Sequence, residues 1–236
     1  MNISRSRPHR RETLFPWFLV ATLLPLLVMP FTNLNGNALQ RLLLPVTTLF
    51  LVVMALRIAP EAGLHSRRGS WLLAYRSLGL LCVVLMWLPM IRGHHVPHNW
   101  HFPILAAISA FYGATAIVIL LILSKVEQVN ERVLCLGAAG YIHLGLTGGQ
   151  FATALEILRP GSFSLGQMLP GEELVERLSY FTFVTLGSLG YGDVLPKTAV
   201  AESFTVLLSL SGTLYITLMI GLLLSRYIAS EIETTE

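Results

Sequence analysis

The sequence contains few charged residues. Of its 236 residues only 12% are charged, whereas 54% are hydrophobic, and the mean hydropathy is +0.67. A soluble domain usually carries about a quarter charged residues, so this composition excludes a soluble globular enzyme and a disordered chain. Cysteine is also scarce, and Cys82 and Cys135 lie in apolar stretches without a C-x-x-C partner, which is typical of buried thiols that act as small apolar side chains.

Long apolar runs make up most of the chain. A spanning helix needs about 20 mostly apolar residues, and six runs reach or nearly reach that length: 14–31, 42–59, 71–91, 104–124, 133–155 and 199–228. These runs leave almost no chain for a separate soluble domain. The sequence therefore predicts an all-α membrane protein with six transmembrane helices, the first of them uncleaved.

Basic residues indicate the orientation of these helices. If the N-terminus is inside, the cytoplasmic side receives Arg5, Arg7, Arg10, Arg11, Arg57, Arg67, Arg68, Lys125, Arg132 and Arg226. The outer side then receives only Arg41, Arg92, Arg159, Arg177 and Lys197. The positive-inside rule favours this arrangement, with both termini in the cytoplasm of a multi-pass plasma-membrane protein. The net charge of +3 is explained by topology, so we expect the lipid bilayer and no nucleic acid as a partner.

The connection between the fifth and sixth runs is too long for a hairpin and too apolar for a free loop. A short helix is predicted over 172–186, because Glu172, Glu173 and Glu176 suit the positive end of a helix macrodipole. This helix is too short to cross the bilayer, which indicates a re-entrant segment. The glycine-rich stretch 187–193 follows it, and such non-helical backbone is tolerated at membrane depth only where protein or water satisfies it.

The sequence YFTFVTLGSLGYGD at 180–193 resembles the pore helix and selectivity filter of potassium channels, whose filter consensus is TVGYG. The resemblance covers roughly 174–227. It implies that K⁺ is held by the hydroxyl and carbonyl oxygens of Ser188 and by the carbonyls of Leu189, Gly190 and Tyr191, with Gly192 closing the outer mouth. It implies no cofactor other than K⁺ ions in the filter.

Elementary chemistry supports the same interpretation. A dehydrated cation needs a ring of oxygens in place of its water, and backbone carbonyls that all face one axis require some positive φ angles, which glycine adopts cheaply. Gly190 and Gly192 occupy the positions where the family uses glycine. One chain supplies one strand of the filter and the sequence has no internal repeat, so we expect a homotetramer.

Two positions depart from the family pattern. Ser188 replaces the usual threonine and lacks the β-methyl that stiffens this position, and Gly187 replaces another common threonine. We therefore predict a potassium-selective channel, with a weakly selective cation channel as the alternative. An ion-coupled transporter is less favoured, because the sequence shows neither inverted repeats nor paired acidic residues at membrane depth. None of these alternatives is an enzyme.

Further residues are assigned roles by the same resemblance. An aromatic residue of the pore helix often donates a hydrogen bond to the aspartate after the filter, and Tyr180 and Asp193 occupy those positions. Asp193 would also form a ring of carboxylates that concentrates cations, or else is an ordinary turn aspartate. Gly212 matches the gating hinge of the inner helix, with a packing glycine as the alternative.

The four N-terminal helices lack a charged voltage sensor. Such a sensor needs several arginines on the fourth helix, yet 104–124 contains no charged residue before Lys125. We therefore expect a channel that is not steeply voltage-gated. We divide the chain into a four-helix membrane domain at 1–125 and a pore domain at 126–236, made of outer helix, pore helix, filter and inner helix.

Histidines supply two weaker candidates. His94, His95, His98 and His101 precede the fourth helix and are weak candidates for metal binding or pH sensing; alternatively they form an interfacial belt with Trp100. His143, near the middle of the fifth run, is either a regulatory group or a neutral histidine that hydrogen-bonds a neighbouring helix.

Overall fold

The computed structural model describes residues 12–31, 38–62, 69–92, 101–126, 129–168 and 173–235. Its helices are α1 (Phe15–Val28), α2 (Ala38–Ile58), α3 (Gly69–Arg92), α4 (His101–Lys125), α5 (Glu131–Leu158), α6 (Leu174–Leu186) and α7 (Ala199–Thr235). Short 3-10 turns lie at Glu12–Leu14, Met29–Phe31 and Ala59–Ala62. Two short strands, β1 (Phe163–Ser164) and β2 (Leu195–Pro196), pair antiparallel. The predominantly helical architecture that the sequence predicts is confirmed.

The starts of α5 and α6 are set by side-chain caps. The Asn130 side chain accepts a hydrogen bond from the Val133 backbone N–H at 3.0 Å, which satisfies one of the unpaired donors at the helix start. Glu173 and Glu176 form a capping box at α6, each side chain bonding the other residue's backbone N–H. The acidic start of the short helix is thus confirmed, while Glu172 lies outside the described residues.

Helix α5 lies at the centre of the described structure. It contacts α1 and α4 as well as α6 and α7. A large apolar cluster that includes Phe18, Leu51, Phe111 and Leu136 joins α1, α2 and α4 to α5. A smaller cluster beside α6 includes Phe163, Leu178, Phe181 and Val194. Of the N-terminal helices, α1 and α4 therefore pack directly against the helix that precedes the glycine-rich stretch.

Five glycines allow this close packing of α5. A methyl group added at Gly140, Gly145 or Gly149 would clash with Tyr215, Phe183 or Ser179 respectively, and the remaining two glycines, Gly137 and Gly148, are also close to side chains of α6 or α7. Small residues let membrane helices approach one another closely. These glycines serve packing.

Within the described residues, four helices are long and apolar enough to cross a membrane: Leu42–Ala62, Ser70–Trp87, Pro103–Lys125 and Ala199–Gly221. Helix α1 is apolar but has only 14 residues. Helix α5 has 28 residues and is about 42 Å long, but glycine, threonine and histidine replace many of its large apolar side chains. Crossings by α1 and α5, and hence the full set of six, stay predictions.

Candidate functional site

The segment 187–193 has an unusual backbone. Ser188, Gly190 and Gly192 have φ angles of 57°, 58° and 78°, so every second residue is in the left-handed region. Glycine tolerates this region without penalty, and Gly190 and Gly192 have the positive φ angles that the sequence predicts. Ser188 is the only non-glycine with positive φ among the described residues. A positive φ is uncommon for a residue other than glycine, so the surrounding structure must hold Ser188 in this conformation.

The last carbonyls of α6 accept hydrogen bonds from the backbone N–H groups of this segment. The last carbonyls of a helix have no partner within the helix. Here the Phe183 carbonyl accepts from Gly187 N–H at 2.9 Å, and the Thr185 carbonyl accepts from Ser188 N–H at 3.0 Å. The Val184 carbonyl accepts from the N–H groups of residues 189 and 190 at 2.9 and 3.4 Å. The N–H groups of 187–190 are therefore all turned toward the protein.

The opposite side of the segment is open. Among the described residues, no backbone hydrogen bond uses the carbonyls of residues 188–191. The Leu189 and Tyr191 side chains are 60% and 65% exposed, although Val184 and Leu186 directly behind them are buried. A single copy of the chain therefore leaves the Leu189 and Tyr191 side chains largely uncovered.

Arg177 of α6 connects three parts of the outer end of the site. Its Nε donates to the Leu165 carbonyl at 2.9 Å, and its Nη2 donates to Asp193 Oδ2 at 3.3 Å. Its guanidinium lies 5.3 Å from the centroid of the Tyr180 ring, within the range of a cation–π contact. From the sequence, Arg177 was counted only among the basic residues that indicate membrane topology. Its position one turn before Tyr180, on the same face of the helix, was the signal that could have linked the two residues.

Tyr180 also lies near Asp193. Both side chains contact the Arg177 guanidinium, Asp193 through an ion pair at 3.3 Å and Tyr180 through the face of its ring. The predicted Tyr180–Asp193 bond stays a prediction, and Arg177 is a further partner of the same carboxylate. The outer end of the segment therefore has more restraints than the resemblance implied.

The loop before α6 is fixed to the segment that follows residue 193. Antiparallel pairing of Phe163 with Pro196 is extended by a hydrogen bond from Lys197 N–H to the Ser162 carbonyl at 2.7 Å. The Glu156 carboxylate at the end of α5 accepts from the backbone N–H groups of Gly161 and Phe163 at 2.7 and 2.9 Å. These hydrogen bonds hold the loop that contains Leu165, whose carbonyl accepts the hydrogen bond from Arg177.

The inner end of the site meets α5 and α7. Tyr141 of α5 donates to the carbonyl of Leu186, the last residue of α6, at 3.2 Å. Gly212 of α7 packs so close that a Cβ there would lie 2.5 Å from the same oxygen. The structure thus gives Gly212 a packing role, and its role as a hinge stays a prediction. Sequence reasoning missed Tyr141, because a tyrosine in an apolar helix carries no local signal of its partner.

Polar residues of α7 bond their own helix. The hydroxyls of Ser211, Thr213 and Thr217 donate to the carbonyls four residues earlier, at 2.7, 3.2 and 2.8 Å. Such bonds satisfy a hydroxyl within an apolar helix. These hydroxyls are therefore paired even where the side chains are exposed.

Of the candidate histidines, His143 is the one whose side chain the structure describes. His143 is buried, its Nε2 lies 3.1 Å from the Tyr112 carbonyl of α4, and its ring stacks on Tyr112. These contacts agree with a histidine that hydrogen-bonds a neighbouring helix. His94, His95 and His98 lie outside the described residues, as does the side chain of His101. In the part of the chain that the structure describes, no group of three or more His, Cys, Asp or Glu side chains could hold a metal ion.

Comparisons with known proteins point to the same part of the chain. Residues 140–229, from within α5 to near the end of α7, match the family model described as "Ion channel". The A-type voltage-gated potassium channel KCND3 of Rattus norvegicus, of Oryctolagus cuniculus and of Homo sapiens is in each case 42% identical over 48 residues.

These matches are local. They cover 20% of this chain and 7% of each relative, so the chain spans only a small part of the length of the curated relatives it matches. No solved structure matches. The matched family consists of ion channels and is not a class of enzymes. Residues 140–229 are therefore similar to the ion channel family, and the local matches are to potassium channels.

Proposed function

We propose that the chain forms a potassium-selective channel that conducts through a ring of backbone carbonyls. One observation above all supports this function: positive φ at Ser188, Gly190 and Gly192, in a segment whose N–H groups are held by the carbonyls of α6. Positive φ at every second residue lets successive carbonyls face one side. There they can replace the water shell of a cation.

Each filter residue has a distinct role in this proposal. The hydroxyl and carbonyl of Ser188 and the carbonyls of Leu189, Gly190 and Tyr191 coordinate K⁺, and Gly192 closes the outer mouth. Asp193 follows at the outer end, where four carboxylates would raise the local cation concentration. No charged side chain stands within the filter itself, so selection depends on carbonyl number and spacing.

The channel is proposed to be a homotetramer. One chain supplies only one wall of carbonyls, and the sequence contains a single filter. Leu189 and Tyr191 are exposed, and α7 also exposes a set of apolar residues: Val206, Leu207, Leu210, Leu214 and Leu218. Three further copies around a closed symmetry axis would cover these surfaces.

The proposed topology has six crossings in the plasma membrane, with both termini in the cytoplasm. Residues 1–125 form a four-helix membrane domain and residues 126–236 the pore domain. Helix α6 has 13 residues and is about 20 Å long, too short to span a hydrocarbon core of about 30 Å. It therefore enters and leaves the membrane from the outer side as the pore helix.

A weakly selective cation channel is the second candidate. Gly187 and Ser188 at the inner end of the filter lack the β-branched side chains that the family pattern has there. A less restrained filter end could adapt to Na⁺ as well. The two candidates differ in ion discrimination and share the same pore.

Flux through purified protein in liposomes tests this function. We expect the wild type to carry K⁺ down its gradient with Na⁺ outside, and Gly190→Ala to abolish the flux, because alanine is strained at a φ of 58°. Gly161→Ala is the matched control: its φ is also positive, at 85°, and neither glycine has a neighbour within 4 Å, but Gly161 lies outside the filter. Equal K⁺ flux in the wild type and Gly190→Ala would contradict a carbonyl filter at this position.

A further inference from the structure

The four last carbonyls of α6 have different kinds of partner. Those of residues 183–185 accept from N–H groups of residues 187–190. The fourth, the carbonyl of Leu186, instead accepts the Tyr141 hydroxyl of α5 at 3.2 Å. Leu186 is only 1% exposed, and a buried carbonyl without a partner is costly. Tyr141 thus completes the hydrogen bonding of the peptide that leads into Gly187 and Ser188.

Tyr141 also lies beside a tyrosine of the inner helix. The rings of Tyr141 and Tyr215 are 5.9 Å apart and tilted by 46°. The Tyr215 hydroxyl donates to the Gly137 carbonyl of α5 at 2.7 Å. Gly140 leaves the space that this hydroxyl occupies, since a Cβ there would clash with it. The two tyrosines thereby join α5, α6 and α7 at one level.

The inner helix reaches the same carbonyl from its other side. The backbone of α7 at Gly212 approaches so closely that a Cβ would lie 2.5 Å from the Leu186 oxygen and 3.0 Å from the Leu186 side chain. Tyr215 follows Gly212 by three residues, which places both on one face of α7. A displacement of α7 at this level must therefore change the surroundings of the Leu186 carbonyl.

We propose that Tyr141 is a positioning residue that couples the inner helix to the inner end of the filter. Movement of α7 shifts Tyr215 and the backbone at Gly212, Tyr141 follows Tyr215, and the Leu186 carbonyl moves with Tyr141. The peptide joining Leu186 to Gly187 then changes the position of the Ser188 oxygens. This inference rests on the proposed function, because it assigns regulation to the same filter.

Hydroxyl deletions test the coupling in the full-length channel in bilayers. We expect Tyr141→Phe to assemble as a tetramer, to shift the reversal potential between K⁺ and Na⁺ toward zero, and to lose current roughly 2- to 10-fold faster under sustained activation, the range expected for one hydrogen bond. Tyr75→Phe is the matched control, because the Tyr75 hydroxyl bonds Thr115 at 2.8 Å between α3 and α4. Its loss should leave both readings unchanged.

The coupling itself is tested by the double variant. Tyr215→Phe in the Tyr141→Phe background should add much less than it does alone, since residues of one network are not additive. Fully additive effects, or Tyr141→Phe channels identical to the wild type in selectivity and decay, would overturn the coupling while leaving the proposed channel intact. A wild type that carries no K⁺ would overturn both.

A variant in α7 tests the same contact if Tyr141→Phe does not assemble. Gly212→Ala adds a methyl group against the Leu186 carbonyl, so it should displace this carbonyl without removing a hydroxyl. We expect a shift in the reversal potential and a changed decay rate. Decay and selectivity equal to those of the wild type would contradict the coupling.

Discussion

At the scale of single residues, the aspartate after the filter depends on a side chain that no filter motif contains. Arg177 uses its Nε for the Leu165 carbonyl and its Nη2 for Asp193. Only a planar guanidinium presents both donors in a fixed geometry, whereas a lysine ammonium is a single point charge. The arginine therefore fixes the distance between the outer loop and the outer mouth of the filter.

We expect Arg177→Ala to leave the tetramer assembled and to accelerate the loss of current under sustained activation. The pair is partly solvated, with Asp193 39% exposed, so a loss of about 1 kcal/mol and a roughly fivefold faster decay are reasonable. Arg177→Lys should fall between the wild type and alanine. Arg159→Ala removes an exposed outer arginine as the control, and equal decay in both alanine variants would contradict a specific role of Arg177.

Tyr180→Phe should act in the same direction with a smaller effect. The predicted hydrogen bond from the Tyr180 hydroxyl to the Asp193 carboxylate is charge-assisted, and loss of such a donor should weaken the site. Because Arg177 still holds Asp193 in this variant, we expect less than the change seen with Arg177→Ala. Current decay recorded side by side checks the order. A larger effect of Tyr180→Phe would mean that the tyrosine is the main support.

The residue scale also shows which contacts a sequence can predict. Positive φ at Gly190 and Gly192 could be predicted because the requirement is local: few other residues adopt that backbone region cheaply. The partners of Arg177 and Tyr141 are distant in sequence or depend on how helices pack. A single chain sequence carries no signal for such tertiary partners beyond the helical face on which a residue lies.

At the scale of helices, α5 owes its position to its glycines. It lies against four other helices, and Gly145 faces the ring of Phe183 from α6. Alanine is the better helix former by about 1 kcal/mol. The close packing here must therefore contribute more than the glycine costs in helix propensity.

Gly145→Ala is expected to lower the thermal stability of the tetramer in detergent, since overpacking a core typically costs about 1–3 kcal/mol. Gly221→Ala of α7 is the control, because a Cβ at Gly221 meets nothing within 4 Å. It should leave stability unchanged or raise it through helix propensity. The melting temperatures of the two variants provide the comparison, and an unchanged value for Gly145→Ala would show that Phe183 moves aside freely.

Helix positions were largely predictable from the apolar runs, and helix ends less so. All six predicted runs and the short acidic helix coincide with helices. The run 14–31 contains the shorter α1, at Phe15–Val28, because its ends form 3-10 turns. Hydropathy is a weaker guide to α5, because a helix surrounded by protein can replace large apolar residues with glycine and threonine.

At the scale of the whole molecule, α4 lacks the series of charges with which a voltage sensor responds to an electric field. The span Pro103–Lys125 of α4 ends with its one charged residue. Lys125 is fixed there by a hydrogen bond from its Nζ to the Ala62 carbonyl at 2.6 Å. Helices α1 and α4 thus pack against α5 through apolar side chains, and α4 lacks the several arginines of a voltage sensor.

The open probability should therefore depend only weakly on voltage. One charge that crosses the whole field contributes about 2.3 kcal/mol per 100 mV, and α4 has no such charge in its body. Single-channel recordings over a wide voltage range, with the same K⁺ concentration on both sides, give the slope. A slope that requires several gating charges per tetramer would contradict this expectation.

Ion selection by backbone carbonyls of residues 188–191 is the central claim, and the reversal potential tests it most directly. With K⁺ on the inner side and Na⁺ on the outer side at equal concentration, a potassium-selective filter requires a strongly negative reversal potential, because K⁺ alone carries the current. We expect this strongly negative value for the wild type. A reversal potential near zero would contradict potassium selectivity and favour the weakly selective cation channel.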